Sequence, residues 1–356
     1  MMRINSLIIA IFCTIICSAH DFSVMDGNNT LFYNITDTIK NEVELTYNGS
    51  IRDLHKSYVG DLIIKRLVTY KGKSYKVTAI GRKAFADNNL LTSVEIPNAV
   101  RRIDDFAFEN CQKLNRVIMP TNEVVIGTGA FFLCSNISRL SIGAEWTVVD
   151  LKHFCWSKEL KKISIPARVK QIENMISLPF LQEIVVDENN AKFSSFDGAL
   201  YNVNRTELLR CPRGRSGKLV VDEKTETIRW GALNKCVGLD EIILQKNIKY
   251  LSFREFSELR NLKKLQLQTL SPILTATHNG KNVMALQLAN RSVKIEVARE
   301  MKKVYCEAIS TESGMYSEIN ANKSLKIPEN LSDIEFNILD SQLAAKSQIV
   351  VVKEFK

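Results

Sequence analysis

Histidine is scarce in this 356-residue sequence, and no known catalytic or metal-binding motif is present. The four histidines, His20, His55, His153 and His278, have neither His-Glu-x-x-His nor His-x-x-x-His spacing, so a metal hydrolase is unsupported. No Cys-x-x-Cys pair follows residue 19, which removes the ordinary zinc and thioredoxin-type motifs. A Gly-x-Ser-x-Gly elbow is also missing. We therefore predict a protein that is not an enzyme and that carries no metal and no cofactor.

Long apolar runs are missing after the first 19 residues, where no segment approaches the roughly 18 apolar residues of a membrane-spanning helix. Residues 7–16 form a short apolar run after Arg3 and before Cys17-Ser18-Ala19. This order is typical of a secretory signal peptide, with cleavage expected after Ala19. We predict an exported protein, secreted or at the cell surface, and an outer-membrane-associated or periplasmic location stays open.

A repeat of 23 residues runs from Ile80 to Ile172 and resumes from Ile228 to Leu251. The same residue types recur at fixed positions in successive copies. The clearest columns are Ile80, Ile103, Ile126, Val149 and Ile172; Phe85, Phe108, Phe131 and Phe154; Val94, Val117, Leu140 and Ile163; and Pro97, Pro120 and Pro166, with Gly143 in the gap. The phase slips in the fifth copy, at Leu181, Ile184 and Val186. Such a period with fixed apolar positions indicates a solenoid whose coils bury their apolar sides against each other.

Each coil contains one segment with strand periodicity. In residues 91–97, for example, Val94 and Ile96 are predicted to point inward and Ser93 and Glu95 outward. Stacked coils should therefore form a parallel β-sheet on one face, and the phenylalanine column should form a buried aromatic spine on the opposite side. The predicted divisions are a signal peptide (1–19), a β-rich N-terminal cap (20–76), repeats (77–270) and a C-terminal cap (271–356). A β-hairpin insertion is expected at about 188–224, because Asp197-Gly198 supplies the positive φ of a hairpin turn.

Six cysteines remain after residue 19, and Cys111, Cys134 and Cys236 share one repeat column. Because Leu259 occupies the same column, the position accepts any compact apolar side chain. Buried free thiols are the simpler interpretation. Neighbouring coils lie about 4.8 Å apart, so a bridge between Cys111 and Cys134 stays open.

The repeat columns resemble those of BspA-like leucine-rich repeat proteins, which are abundant in Bacteroides and related bacteria. The resemblance is clearest at residues 80–100 and 103–120, and the hairpin at residues 197–202 resembles the usual insertion of that family. The resemblance covers roughly residues 20–310 and implies a mostly β or α/β repeat solenoid. It also implies an exported binding or adhesion protein, although a repeat scaffold implies no chemistry by itself.

Basic residues follow the outward positions of three adjacent coils, on a chain of formal net charge +9. The candidate ligand-binding residues are Arg116, Arg139, Lys161 and Lys162 on the strands, with Arg101, Arg102 and Lys170 at the corner that follows. A track of one sign favours an anionic partner such as an acidic glycan or an acidic protein. The alternative is a solvated basic face without a ligand.

Nucleic acid is not an expected partner, because the outward positions beside these charges offer Ile118, Ser141 and Ser164 in place of stacking aromatics. We predict a monomeric binding protein that uses its strand face to hold a protein or glycan on a host or neighbouring cell surface. A structural or assembly component of the cell envelope, with contacts through its end caps, is the other hypothesis.

Overall fold

The structure is a computed structural model that describes residues 20–48, 58–250, 255–256, 258–268, 276–278, 281–283, 294–297, 334–338 and 348–354. The predicted signal peptide, His55, Cys306 and most of the predicted C-terminal cap lie outside the described residues. The described part consists of strands, turns and two short 3-10 segments, Leu151–Phe154 and Met175–Ser177, without an α-helix. None of its helical segments is long and apolar enough to cross a membrane.

Six strands precede the first complete coil. They are β1 (Phe22–Asp26), β2 (Asn29–Asp37), β3 (Glu42–Thr46), β4 (Gly60–Ile63), β5 (Leu67–Tyr70) and β6 (Lys73–Ile80). β1, β2 and β3 pair antiparallel in sequence order, and β3 then pairs parallel with β6. This meander covers the edge of β6 that would otherwise be an open template for pairing with another chain.

The first coils contribute two sets of short strands. They are β7 (Leu91–Glu95), β8 (Arg102–Ile103), β9 (Arg116–Ile118), β10 (Val125–Ile126), β11 (Arg139–Ser141), β12 (Val148–Asp150), β13 (Lys162–Ile165), β14 (Gln171–Glu173) and β15 (Glu183–Val186). We call the surface of β4, β7, β9, β11, β13 and β15 the front face. The surface of β6, β8, β10, β12 and β14 is the second face.

The front face confirms the predicted parallel stacking. Val94, Val117 and Leu140 lie directly opposite one another on β7, β9 and β11, and all three are buried, as is Ile163 on β13. The ladder is interrupted between β11 and β13, so the stack is not one continuous sheet. Lys162 pairs with Glu183, which follows it by 21 residues, so the fifth coil is shorter than the others, as the slip in the sequence phase predicted.

The second face adds a parallel ladder that the sequence did not reveal. β6 pairs with β8 and β8 with β10, with Ile80, Ile103 and Ile126 in register, and β12 pairs with β14. These strands are only two or three residues long in most coils, too short for a period of two to be recognised. The core therefore lies between two parallel ladders and not behind one.

The turns that lead from each second-face strand to the following front strand carry the predicted aromatic spine. Phe85, Phe108, Phe131 and Phe154 stack with ring centroids 4.8, 5.1 and 5.0 Å apart, and each is at most 3% exposed. Bonds that span three residues, such as Ala84 N to Gly81 O, tighten these turns in the manner of a 3-10 helix. Cys111 and Cys134 pack beside the spine as buried free thiols, and burial raises the pKa of Cys111 well above its usual value. Cys236 is also a buried free thiol, but it belongs to a separate core.

A hairpin interrupts the coils at the predicted turn. The strands from here to residue 268 are β16 (Phe193–Phe196), β17 (Ala199–Asn202), β18 (Glu207–Arg210), β19 (Ser216–Val220), β20 (Thr227–Ile228), β21 (Gly238–Leu244) and β22 (Lys264–Leu267). β16 and β17 pair antiparallel around Asp197 and Gly198, which have φ of 47° and 71°. β18 and β19 fall within the expected span of the insertion, yet they pair in parallel with β20 and β21 as coil strands.

The hairpin and β18 cross the solenoid as a partition between two hydrophobic cores. Leu200 and Leu209 belong to the core of the preceding coils, whereas Tyr201 and Leu208 belong to the core of the following coils. Successive side chains of a strand point to opposite faces, so one layer of strands can close both cores. The turn also reaches the front face, where Gly198 O accepts a hydrogen bond from Ile184 N of β15 at 2.9 Å.

Five strands are described after residue 275. They are β23 (Ala276–His278), β24 (Lys281–Val283), β25 (Lys294–Val297), β26 (Ile334–Ile338) and β27 (Gln348–Glu354). β25 pairs parallel with β22 and β27 with β25, so the sheet of β19, β21 and β22 continues into the last part of the chain.

Glu255 is a buried carboxylic acid that binds the neighbouring coil, and it predicts a specific pH dependence. Its two oxygens accept hydrogen bonds from Gly231 N at 2.5 Å and Leu233 N at 3.1 Å. Burial nevertheless raises the pKa of Glu255 above its usual value. The folded state thus binds a proton that the unfolded state has already released, and this stabilisation is lost as the pH rises through the raised pKa.

We expect Glu255→Gln to remove that pH-dependent part of stability. The melting temperature of the variant relative to the natural protein should therefore increase as the pH is raised from about 4.5 towards neutral. Thermal unfolding of both proteins across this range measures the difference. Parallel curves at all pH values would contradict the assignment.

Candidate binding surface

Arg116 and Arg139 are the strongest pair of candidate residues on the front face. They lie directly opposite each other on β9 and β11, and both side chains are exposed. Each is presented outward because the neighbouring Val117 or Leu140 points into the core. Among the described residues, no carboxylate lies within the 4.0 Å ion-pair distance of either guanidinium.

A carboxylate lies near each end of the basic track. Lys162 Nζ lies 2.8 Å from Glu183 Oε1 on the next strand, so its charge is offset where the track was expected to continue. Lys161 turns aside, with Nζ donating to Lys158 O at 2.6 Å and lying 5.2 Å from the centre of the Phe180 ring. At the other end, hydrogen bonds from Thr92 and Ser93, followed by the charge of Arg116, hold the pKa of Asp61 below its usual value.

Three of the predicted site residues lie on the second face and not beside Arg116. Arg101 pairs with Glu42 at 2.6 Å, and Arg102 pairs with Glu44 at the same distance. These ion pairs connect the N-terminal cap to the second coil. Lys170 is exposed beside β14 and lines a groove there. The seven candidates therefore do not form one track, and only Arg116 and Arg139 are adjacent with no carboxylate within 4.0 Å among the described residues.

The structure places one further charged residue at an outward position of a coil strand, and the sequence analysis missed this residue. Lys218 on β19 pairs in register with Glu241 on β21. This position falls within the expected hairpin insertion, so it was not counted as part of a coil. A weak signal was available, since residues 216–220 alternate in polarity before the regular spacing returns. With Glu241 next to it, Lys218 extends a face of alternating sign and not a basic track.

No group of three or more His, Cys, Asp or Glu side chains suited to holding a metal ion occurs in the described part of the chain. His153 is half-buried in the 3-10 segment Leu151–Phe154, and burial lowers its pKa. Its neighbours Leu151 and Phe154 are core residues, so its position is explained by packing.

A family model described as BspA type Leucine rich repeat region matches residues 75–196 and 216–296 in six copies, more than half of the chain. No curated protein matches the chain. Among solved structures, the pneumococcal vaccine antigen PcpA is similar at 15% identity, over 79% of this chain and 83% of its own, with a TM-score of 0.46.

Two further solved structures are similar to this chain. A leucine-rich cell surface protein from Faecalibacterium prausnitzii is 18% identical over 78% of this chain and 88% of its own, with a TM-score of 0.36. A leucine-rich repeat protein from Bacteroides ovatus is 16% identical over 80% of this chain and 96% of its own, with a TM-score of 0.30.

Proposed function

Because this chain belongs to the BspA type leucine-rich repeat family, we propose that it is an exported, non-enzymatic binding protein. It holds an anionic protein or acidic glycan on its front face. The observation that carries the proposal is the pairing of Arg116 with Arg139, two exposed cations on hydrogen-bonded strands. Solenoids commonly bind partners through such extended surfaces.

The chemistry of this pair suits a sulfate or carboxylate group. Adjacent strands lie about 4.8 Å apart, so the guanidinium groups of Arg116 and Arg139 can approach one anion together. Arginine presents its donors in a planar fork, which gives charge-assisted, often bidentate hydrogen bonds to such groups. Since both side chains are exposed, the attraction should weaken as salt increases.

We expect Arg116→Glu/Arg139→Glu to lose affinity for acidic ligands by about tenfold or more, because the reversed charges repel the anion. The measurement is binding of the protein to an array of sulfated, carboxylated and neutral glycans and host-matrix proteins. It is made at about 15 mM and about 150 mM salt, since screening separates surface electrostatics from other contacts.

The matched control is Lys224→Glu/Lys246→Glu, which changes the net charge equally at exposed lysines outside the candidate surface. It should keep the affinity of the natural protein. Equal losses in both double variants would mean general attraction to a basic chain and would contradict a site at Arg116 and Arg139. If the natural protein binds nothing on the array at either salt concentration, the structural role in the cell envelope becomes the better hypothesis.

A further inference from the structure

The strand pairing of the second face is interrupted between β10 and β12 and ends at β14, which leaves a strand edge open. In earlier coils, the carbonyls of Ile80 and Ile103 accept hydrogen bonds from Asp104 N and Gly127 N of the next coil. Ile172 occupies the same repeat column, but no described backbone N–H donates to its carbonyl. β14 pairs only with β12 in the described part of the molecule. An unpaired strand edge is a ready site for another strand.

The open edge of β14 has a clear origin in the chain path. Phe193 follows Ile172 at the same spacing that joins Lys162 to Glu183 on the front face. By that spacing, β16 stands where the next second-face strand should pair with β14. Instead β16 pairs with β17 and leads into the hairpin that crosses to the front face. A groove of about 830 Å³ lies between β14 and the hairpin.

The floor of this groove is apolar. It is formed by Ile172 of β14 together with Phe193, Leu200 and Leu209 of the partition. The volume is within the range of about 300–1,000 Å³ that is typical of ligand sites. β16 is itself an edge strand of its sheet, so the groove has an apolar floor and a strand edge on each wall.

The rim of the groove is basic. Lys170, Lys192 and Arg210 line it, and none of them lies within 4.0 Å of a carboxylate among the described residues. The one acidic lining residue, Glu207, is neutralised by Arg229, with N–O distances of 2.8 and 2.9 Å. An occupant that complements this site carries negative charge beside its apolar groups.

We propose that the groove binds an extended peptide segment with alternating acidic and apolar residues, which adds as a parallel strand to β14. This site is separate from the one at Arg116 and Arg139. Backbone N–H groups of the peptide donate to the open edge, including the carbonyl of Ile172. Alternate side chains point to opposite faces of a strand, so apolar residues meet the floor while acidic residues reach Lys170 and Lys192. Strand addition of this kind takes affinity from the main chain and specificity from the pockets for alternate side chains.

The test uses a fluorescent octapeptide of alternating glutamate and valine, titrated with the natural protein and followed by anisotropy. We expect saturable binding, and we expect Lys170→Glu/Lys192→Glu to weaken it by about tenfold or more. Both lysines are exposed, so the variant should fold. A lysine and valine counterpart should not bind. N-methylation of alternate peptide amides removes the donors facing β14, so one of the two possible N-methylated versions should also lose about tenfold or more.

Two controls separate this site from the front face. Lys224→Glu/Lys246→Glu should bind the peptide as the natural protein does. Arg116→Glu/Arg139→Glu should retain the part of the binding that N-methylation of the peptide removes, because that part belongs to β14. Absence of binding at about 1 mM peptide, an affinity weaker than about 4 kcal/mol, would overturn the proposal. So would equal binding of both N-methylated versions, because the groove would then hold apolar anions without pairing a strand.

Discussion

Phe108→Ala is expected to destabilise the protein by about 3–5 kcal/mol. The Phe108 ring is fully buried and stacks on two others, at 4.8 Å from Phe85 and 5.1 Å from Phe131, with interplanar angles of 4° and 3°. Truncation leaves a cavity and removes two aromatic contacts that are worth about 0.5–1.5 kcal/mol each beyond area burial. Urea unfolding followed by circular dichroism measures the loss.

The position of Phe108 in the spine makes the expectation sharper. Phe154 stands at the end of the spine, is 3% exposed and meets Phe131 at an angle of 29°. Because Phe154→Ala removes one stacking contact and Phe108→Ala removes two, Phe154→Ala should lower the free energy of unfolding by less. Trp230→Ala is the control, since Trp230 is 75% exposed and should change stability by no more than about 0.5 kcal/mol. A loss below about 1 kcal/mol at Phe108 would contradict a packed spine.

The Phe108→Ala substitution should also lower the cooperativity of unfolding. In a solenoid each coil contacts only its neighbours, so stability is close to a sum of coil terms and interface terms. Phe108 belongs to interfaces on both of its sides. We therefore expect the cap-side coils and the coils beyond Phe131 to separate in their unfolding, with a broader transition than that of Phe154→Ala.

The repeating features of this fold are predictable from sequence because one column reports on one environment. Val94, Val117 and Leu140 occupy the same position in successive repeats, and all three are paired in register and buried. The hairpin turn is predictable for a different reason, because Asp197 and Gly198 both adopt positive φ, a conformation that Asp-Gly favours. Both signals are local or strictly periodic, so no tertiary information is needed to recognise them.

The pairing of the second-face strands and the ion pairs depend on contacts between residues that are distant in sequence. β8 contains only two residues, and its strand character comes from neighbours in the preceding and the following coil. Arg101 is neutralised by Glu42, which lies 59 residues earlier in the cap. A list of outward basic residues therefore overestimates the basic track, since it cannot include carboxylates that folding brings to it. The groove beside β14 escapes sequence analysis too, because it results from a pairing that Phe193 fails to make.

Gly143→Pro, the change that completes the proline column of the repeat, is expected to destabilise the protein by about 1–3 kcal/mol. A Cβ added at Gly143 would lie 2.0 Å from Pro120 O and 2.5 Å from Trp146 Nε1. The indole is held there by donating to Pro120 O at 3.1 Å and Asn122 O at 2.9 Å. Trp146 is buried in a column that holds Val100, Glu123 and Val169 in other coils, so the glycine makes room for a ring that is larger than those side chains.

This explanation makes the two positions interdependent. Trp146→Val restores the smaller residue of the column and releases Pro120 O from the indole, so the double variant Gly143→Pro/Trp146→Val should be less destabilised than the sum of its single variants. Contacting residues that share one packing constraint show such coupling, of about 0.5–3 kcal/mol. Urea unfolding of the four proteins measures it, with Ser141→Ala on the exposed side of β11 as the control. Strict additivity would show that the backbone contact with Pro120 alone excludes a side chain at position 143, and that Trp146 is not the cause of the glycine in the proline column.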